Sequence, residues 1–136
     1  MNAHSDSKLT EVLRSAAENF FPAAEEAVSM HVGTRSPDGD TPLHLFAWRS
    51  DVGSARVLIE AGADVNALGD MSTTPLHIAL GKACEPMVIL LLQAGARVDI
   101  RSEFSETPQE LAKRIGGRFA EILANRSSRR SATRGA

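Results

Sequence analysis

Histidine, cysteine and carboxylate side chains are the groups that could carry metal or acid–base chemistry in this chain. The 136 residues include four histidines and one cysteine, Cys84. His44 and His77 stand at equivalent positions of two identical Thr-Pro-Leu-His segments, which gives each a structural role that needs no ligand. His4 lies near the amino end, and His31 has no second ligand at helical spacing. We therefore predict no metal site.

Cys84 is the only thiol and therefore the only candidate for a cysteine nucleophile. It lies in a turn ahead of Pro86 without a histidine nearby in sequence to act as its base, so a structural thiol is expected. The chain also lacks a glycine-rich phosphate loop, because Gly62 and Gly95 stand alone as helix ends. These observations predict a protein that is not an enzyme, holds no cofactor and takes no small-molecule substrate.

The composition favours one soluble domain made of helices. Hydrophobic residues make up 43% and charged residues 24%, a balance that excludes a chain disordered throughout. Aromatic residues are only 4%, and alanine and leucine are abundant, which favours packed helices over a β-sandwich. The lone cysteine, the polar amino end and the lack of a membrane-length apolar run predict a cytoplasmic protein with no signal peptide and no membrane contact.

Two separate motifs recur with the same period of 33 residues. Thr41-Pro42-Leu43-His44 returns as Thr74-Pro75-Leu76-His77 and, altered, as Thr107-Pro108-Gln109-Glu110. Gly62-Ala63-Asp64-Val65-Asn66 returns as Gly95-Ala96-Arg97-Val98-Asp99. A fixed period shared by two independent motifs is the signature of a repeat architecture.

Each repeat contains start signals for two helices. Threonine is a good N-cap and proline fits the first helical position, so a helix is predicted at each Thr-Pro pair. In the third copy, Thr107 and Glu110 add a capping box. A second helix follows, capped by Asp51 in one copy and started by Pro86 in the next. The continuous apolar run at residues 88–92 must be covered on more than one side, which neighbouring repeats would do.

These residues resemble the ankyrin repeat, in which Thr-Pro-Leu-His opens a short helix and Gly-Ala-Asp-Val-Asn precedes a protruding loop. The resemblance covers residues 35–123 strongly and implies an all-α solenoid of about four units, two regular and two degenerate, with hairpin-like loops. It also implies that His44 and His77 bond to backbone and hydroxyl groups that tie adjacent repeats together. The expected division is a flexible segment 1–7, repeats at about 8–35, 36–68, 69–101 and 102–124, and a disordered basic tail at 125–136.

The two ends depart from the regular pattern. An amino-terminal capping helix is predicted by apolar residues at helical spacing, namely Leu9, Val12, Leu13, Ala16 and Phe20. Pro22 then interrupts the chain before a second segment at residues 23–30. At the other end, Leu123 falls one residue early against the repeat, which predicts a one-residue deletion near Gly116-Gly117.

By the same resemblance, a partner binds to positions that the fold does not need. These are the loop tips before each Thr-Pro pair and the outward side of each first helix, which together line a concave face. The predicted partner-binding residues are Arg35, Pro37, Asp38, Asp40, Trp48, Arg49, Leu68, Asp70, Met71, Thr73, Lys82, Arg101, Glu103, Phe104, Glu106 and Arg114.

Trp48, Met71 and Phe104 are side chains of the kind that anchor interfaces. Met71 and Phe104 hold the same repeat position and are expected to stack side by side along the tips. In the alternative interpretation, these two fold back onto their own loops and Trp48 folds onto the next helix. The charged neighbours, of both signs, would set register and association rate more than affinity.

The expected function is binding of one protein partner by a monomer. A narrower hypothesis is that the chain is similar to small stand-alone ankyrin proteins of bacteria, some of which neutralise a toxin or effector as inhibitors or immunity proteins. The alternatives are a scaffold joining signalling or host proteins and an adaptor that contacts nucleic acid through its arginine-rich tail. General nucleic-acid binding is not expected: setting the four tail arginines aside from 15 basic residues leaves 11 against 17 acidic ones.

Overall fold

The computed structural model of the protein describes residues 3–24 and 29–125. Its helices are α1 (Ala3–Phe20), α2 (Pro42–Trp48), α3 (Val52–Glu60), α4 (Pro75–Gly81), α5 (Glu85–Gln93), α6 (Pro108–Ile115) and α7 (117–125), with a 3₁₀ turn at Asp70–Ser72. These described ranges contain no β-strand, and the all-α fold class is confirmed. No helix within them is both long enough and apolar enough to cross a membrane.

Each first helix begins at a Thr-Pro pair, as predicted. Thr41, Thr74 and Thr107 are the N-caps of α2, α4 and α6, each with extended backbone and proline in the first turn. In α6, Thr107 Oγ1 accepts a hydrogen bond from the Glu110 amide at 3.1 Å, and Glu110 Oε1 accepts from the Thr107 amide at 3.0 Å. This capping box satisfies N–H groups that the helix itself leaves without partners.

The second helices, α3 and α5, follow tight turns whose central residues have positive φ, 56° at Ser50 and 55° at Ala83. Asp51 caps α3 by accepting a hydrogen bond at 3.1 Å from the amide three residues further on. Gly62 and Gly95 follow α3 and α5 with φ at 97° in both cases. Glycine adopts this left-handed conformation without a steric penalty, so both helices end where the sequence predicted.

The helix pairs stack in chain order. Within a pair, α2 packs on α3 and α4 on α5, while the first helices α2, α4 and α6 lie side by side and α3 packs on α5. The core that they share consists of large, fully buried side chains, including Leu43, Phe46, Leu58, Leu76, Leu80, Met87 and Leu91. A core shared between neighbours is what lets each repeat bury more than one of its faces.

Helix α1 covers the amino-terminal side of the stack, where it packs on α3 and α2. The five apolar residues predicted for its inner face are buried or half-buried against the core. The helix begins at Ala3, ahead of the boundary expected at residue 8, and it ends at Phe20 just before Pro22. Half of the second segment expected over residues 23–30, residues 25–28, lies outside the described residues, and its described positions 23–24 and 29–30 are not helical.

Leu123 closes the core at the other end of the stack. Only 1% of its surface is exposed. It stands one residue earlier than the 33-residue period predicts when the period is counted from Leu91 in the preceding repeat. Helix α7 starts at residue 117, directly after Gly116 ends α6 with φ at 79°. The structure therefore accommodates the predicted one-residue deletion in this turn. The predicted basic tail lies outside the described residues, apart from its first residue.

Candidate partner-binding surface

Three loops precede the first helices and share one backbone pattern. They are residues 36–40, 69–73 and 102–106, which we call the tip loops. In each, the amide of the first residue donates to the carbonyl of the last, at 2.8 Å in the first two loops and 3.0 Å in the third. Each tip loop is therefore a tight, hairpin-like turn that does not extend into a strand.

His44 and His77 connect the first helices to the tip loop of the following repeat. His44 Nδ1 accepts the Thr41 amide at 3.1 Å, so the ring proton is on Nε2, which donates to the Thr73 carbonyl at 3.0 Å. His77 repeats the arrangement, with its Nε2 lying 2.9 Å from the Glu106 carbonyl. The inter-repeat role implied by the resemblance is confirmed. Since both ring nitrogens are engaged, neither histidine has a free lone pair for a metal ion.

Burial favours the neutral form of both imidazoles. His44 is 0% exposed and His77 is 6% exposed, and loss of hydration lowers the pKa of each ring. The carbonyls of Thr73 and Glu106 act in the opposite direction, as does the Asp40 carboxylate near His44, but burial is the larger effect. A proton on Nδ1 would abolish the bond that this atom accepts, so protonation would weaken the link between repeats.

The other groups considered for chemistry lie apart. His31 is exposed, and its Nδ1 accepts a hydrogen bond from the Gly33 amide at 3.1 Å. Cys84 is half-buried at the N-cap of α5. Throughout the described ranges, histidine, cysteine and acidic side chains do not gather in the groups of three that a metal ion would need.

Two arginines at the same repeat position brace the tip loops. Arg35 Nη1 donates to the Gly39 carbonyl at 2.7 Å and also to the Leu68 carbonyl in the following repeat. Arg101 Nη1 donates to a carbonyl of its own tip loop at 2.6 Å and pairs with Glu110 Oε1 at 3.0 Å. Both guanidinium groups, predicted to bind a partner, therefore make contacts that fix the loop backbone.

Neighbouring tip loops are also joined to each other. Asp40 Oδ1 accepts a hydrogen bond from the Asp70 amide at 2.9 Å, and the Glu103 amide donates to the Met71 carbonyl at 2.9 Å. Gly69 allows the first junction to form, because a Cβ there would collide with the Asp40 carboxylate. The three tip loops therefore form one continuous row with an ordered backbone.

The three predicted anchors are all exposed. The exposed fraction is 55% for Trp48, 50% for Met71 and 70% for Phe104, so none is buried on its own loop or on the next helix. Lys82 Nζ lies 4.8 Å from the centroid of the Trp48 ring, a cation–π contact between repeats. The backbone bond between residues 103 and 71 places the loops of Met71 and Phe104 side by side.

A groove of about 370 Å³ lies between α4, α6 and the third tip loop, and we call it the Gly81 groove. The side chains and backbone that line it include Thr73, Ile78, Gly81, Phe104, Leu111 and Arg114. Gly81 holds the repeat position occupied by Trp48 one period earlier and by Arg114 one period later. A Cβ added at Gly81 would meet nothing within 4 Å, so the missing side chain leaves the groove open.

A family model of ankyrin repeats, in three copies, matches residues 12–102, which is more than half of the chain. The chain belongs to the ankyrin-repeat family. Ankyrin repeats are protein–protein interaction modules and are typically not catalytic. Helix α6 lies beyond the matched residues, where Glu110 takes the place of the repeat histidine. No curated protein matches the sequence.

One wall of this ankyrin protein's groove is an ion pair. Arg114 Nε and Nη2 donate to the two carboxylate oxygens of Glu106 at 2.8 and 3.0 Å. The hydrogen bond from Arg114 lowers the pKa of Glu106, and the same contact raises the pKa of Arg114. Both side chains were predicted to bind a partner, and here their charges offset each other, which leaves the groove electrically neutral on this side.

The remaining predicted charges of the ankyrin surface are segregated by sign. Asp38, Asp70 and Glu103 are exposed on the tip loops, and Arg49 and Lys82 are exposed at the carboxyl ends of α2 and α4. Among the described residues, these five side chains have no ion-pair partner. Helix α4, about 10 Å long for its seven residues, lies between the second tip loop, which carries Asp70, and Lys82 at its carboxyl end.

Five residues that line the groove of this ankyrin stack were not among the predicted partner-binding residues, namely His77, Ile78, Gly81, Ser102 and Leu111. Ile78 is half-buried and Leu111 is 9% exposed, so both contribute apolar surface to the groove floor. Alignment of the repeats could have found Gly81, because it stands between Trp48 and Arg114 at the same repeat position.

Proposed function

We propose that this ankyrin-repeat protein binds one protein partner through the row of tip loops and the concave side of its first helices. The observation that carries the proposal is the exposure of Trp48, Met71 and Phe104 on a surface whose backbone is already held by internal hydrogen bonds. Exposed aromatic and methionine side chains are favoured interface anchors. A preformed surface also loses little conformational entropy on binding.

The predicted residues divide into two groups by their contacts. One group holds the geometry through contacts inside the chain: Arg35, Asp40, Thr73, Arg101, Glu106 and Arg114. The other group is exposed and is proposed to meet the partner: Pro37, Asp38, Trp48, Arg49, Leu68, Asp70, Met71, Lys82, Glu103 and Phe104. Within this group, Arg49 also contacts Ser15 and Phe46, and Lys82 lies over Trp48. Substitutions in the second group should weaken binding with little effect on stability, because these side chains are peripheral to the core.

The test is affinity capture with the full chain from a lysate of the source cells. An anchor variant carries Trp48→Ala, Met71→Ala and Phe104→Ala. A matched control carries three alanine substitutions at exposed positions of α3, α5 and α7, namely Arg56→Ala, Gln93→Ala and Glu121→Ala. Wild type and control should retain the same partner, while the anchor variant loses it with an unchanged circular dichroism spectrum. Equal capture by a folded anchor variant would contradict the proposed surface.

The narrower form of the proposal is that binding inhibits a toxin or effector in the cytoplasm and that the chain does so as a monomer. A rigid, preformed surface supports it, since inhibitory complexes form with little backbone change. Expression of the captured partner alone should arrest growth, and co-expression of this chain should restore it. Simultaneous capture of two partners by one chain would instead favour the scaffold alternative, and sedimentation velocity checks the monomeric state.

A further inference from the structure

The Gly81 groove lies where one repeat position of the first helices lacks the large side chain that both neighbouring repeats carry. Trp48 and Arg114 fill that position in the adjacent repeats, and Phe104 stands over the groove with 70% of its surface exposed. The floor, formed by Ile78 and Leu111, is apolar. An apolar side chain inserted here would contact atoms on several sides, which is the environment of an interface hot spot.

The charges around the groove are complementary to a polarised segment. Asp70 and Glu103 lie on the tip loops at one end of the groove, and Lys82 follows Gly81 at the carboxyl end of α4. A bound chain that runs along the groove between these ends would meet acidic groups at one end and a basic group at the other. The Glu106–Arg114 pair contributes no net charge between them.

We propose that the Gly81 groove receives one aromatic side chain of the partner, presented by a segment with basic residues on the tip-loop side and acidic residues on the Lys82 side. This inference rests on the proposed function and specifies the chemistry of the partner. The volume of about 370 Å³ is at the small end of the range for binding pockets, which suits one large side chain with its flanking backbone.

The length of α4 sets the minimum spacing within the segment. Its seven residues are about 10 Å long, a length that three to four residues of extended chain span. A segment with its aromatic residue in the middle and its basic and acidic residues two positions away on either side, four residues apart, therefore reaches from the tip loops to Lys82. The peptide Lys-Lys-Ala-Trp-Ala-Glu-Glu has this spacing. Because a free peptide can lie on the surface in either direction, its lysines can face the tip loops and its glutamates can face Lys82 whichever chain direction the partner uses.

The test titrates this peptide, with blocked ends, into the ¹⁵N-labelled full-length protein. Three control peptides replace tryptophan by alanine, or carry lysine at both ends, or carry glutamate at both ends. We expect the parent peptide to shift the Gly81 and Phe104 amide signals and to bind at least about fivefold more tightly than each control, since each control loses the anchor or one set of ion pairs. Equal binding of any control peptide would overturn the inference.

Gly81→Leu provides the matched protein variant. It should fold normally, because a Cβ at Gly81 meets nothing within 4 Å and the neighbouring repeats carry Trp48 and Arg114 at this position. Its side chain fills the groove, so binding of the parent peptide should fall at least about fivefold, with a melting curve that shows a folded protein. Unchanged peptide binding to the folded variant would contradict the groove assignment.

Capture of the partner by the two variants distinguishes a failure of this inference from a failure of the proposed function. If Gly81→Leu and the anchor variant both lose the partner, both proposals are supported. If the anchor variant loses the partner while Gly81→Leu retains it fully, the groove assignment is wrong and the proposed function stands. If the anchor variant retains the partner, the proposed function is wrong, whatever the peptide does.

Discussion

His44 and His77 join consecutive repeats through neutral imidazoles, so the stability of the stack depends on pH. Burial lowers the folded-state pKa of each ring below about 6.5, the value in an unfolded chain. The unfolded state therefore takes up protons first as the pH falls, and the free energy of unfolding decreases. We expect this stabilisation to be complete above about pH 6.5 and to be lost progressively below it. Urea unfolding measured from pH 8 to pH 5 checks this.

Substitution separates the buried rings from other titrating groups. His77→Gln should lower stability at pH 8 and reduce the slope of stability against pH, because a buried titrating ring is gone. The carboxyls of Glu106 and Glu110 have lowered pKa values, so their contribution is lost below about pH 4.5, outside the range measured. An unaltered slope in His77→Gln would contradict the assignment.

Gly69 is required by a close approach and not by a special backbone angle. A Cβ at this position would lie 2.7 Å from His44 Nε2 and would also collide with the Asp40 carboxylate. Gly69→Ala should therefore lower the free energy of unfolding by about 1–3 kcal/mol, since both side chains must leave the positions from which they bond to the second tip loop. Thermal and urea unfolding measure the loss.

The matched control for Gly69 is Gly53→Ala. A Cβ at Gly53 would be 3.8 Å from the Asp51 carboxylate, an ordinary contact, and the residue is in α3. Alanine is a better helix former than glycine, so this variant should be as stable as wild type or more stable. Equal effects of the two substitutions would show that chain entropy, and not the collision, determines the result at Gly69.

At the scale of the elements, each first helix depends on the threonine that caps it. Thr74 Oγ1 accepts a hydrogen bond from the His77 amide at 3.3 Å and lies 2.9 Å from His77 Nδ1. Thr74→Ala removes the cap of α4 and one partner of the inter-repeat histidine, so stability should fall by about 1–2 kcal/mol. Thr74→Ser keeps the oxygen and should recover most of the loss in the same denaturation assay. If serine performs no better than alanine, the buried methyl group is the important feature and not the cap.

The elements could be predicted from the sequence because capping acts over three or four residues along the chain. Thr107 with Glu110, Asp51 with its downstream amide, and the glycines that follow α3 and α5 are local pairs of this kind. The resemblance to ankyrin repeats then supplied their stacking. The start of α1 at Ala3 was not predicted, since the polar residues before Leu9 give no apolar periodicity.

The details of the surface could not be read from the sequence, because they arise between residues about one period apart. The contact of Lys82 with Trp48, the approach of Asp40 to Gly69 and the opening of the Gly81 groove are all of this kind. The pairing of Glu106 with Arg114 acts over only eight residues but joins a loop to the end of the helix that follows it, which no capping motif predicts. The predicted list of surface positions therefore did not separate side chains that brace the tip loops from side chains that stay exposed.

At the scale of the whole molecule, stability is distributed along a stack in which each unit contacts only its neighbours. Leu91 and Leu123 test this, since they hold corresponding places in a central and a terminal unit and are 0% and 1% exposed. Alanine at either position should lower stability by about 2–5 kcal/mol through lost burial and a cavity. Their effects on cooperativity should differ, because a terminal unit can unfold while the rest of the stack remains packed.

Two probes of urea unfolding distinguish these outcomes. Far-ultraviolet circular dichroism reports all helices, whereas Trp48, the only tryptophan, reports the region of α2. In Leu91→Ala the two transitions should coincide at a lower midpoint, because a weakened centre affects the whole stack. In Leu123→Ala the dichroism should change before the fluorescence, because α7 and α6 separate first. Coincident transitions in both variants would mean that the units unfold as a single cooperative body, and the nearest-neighbour description would then be wrong for this chain.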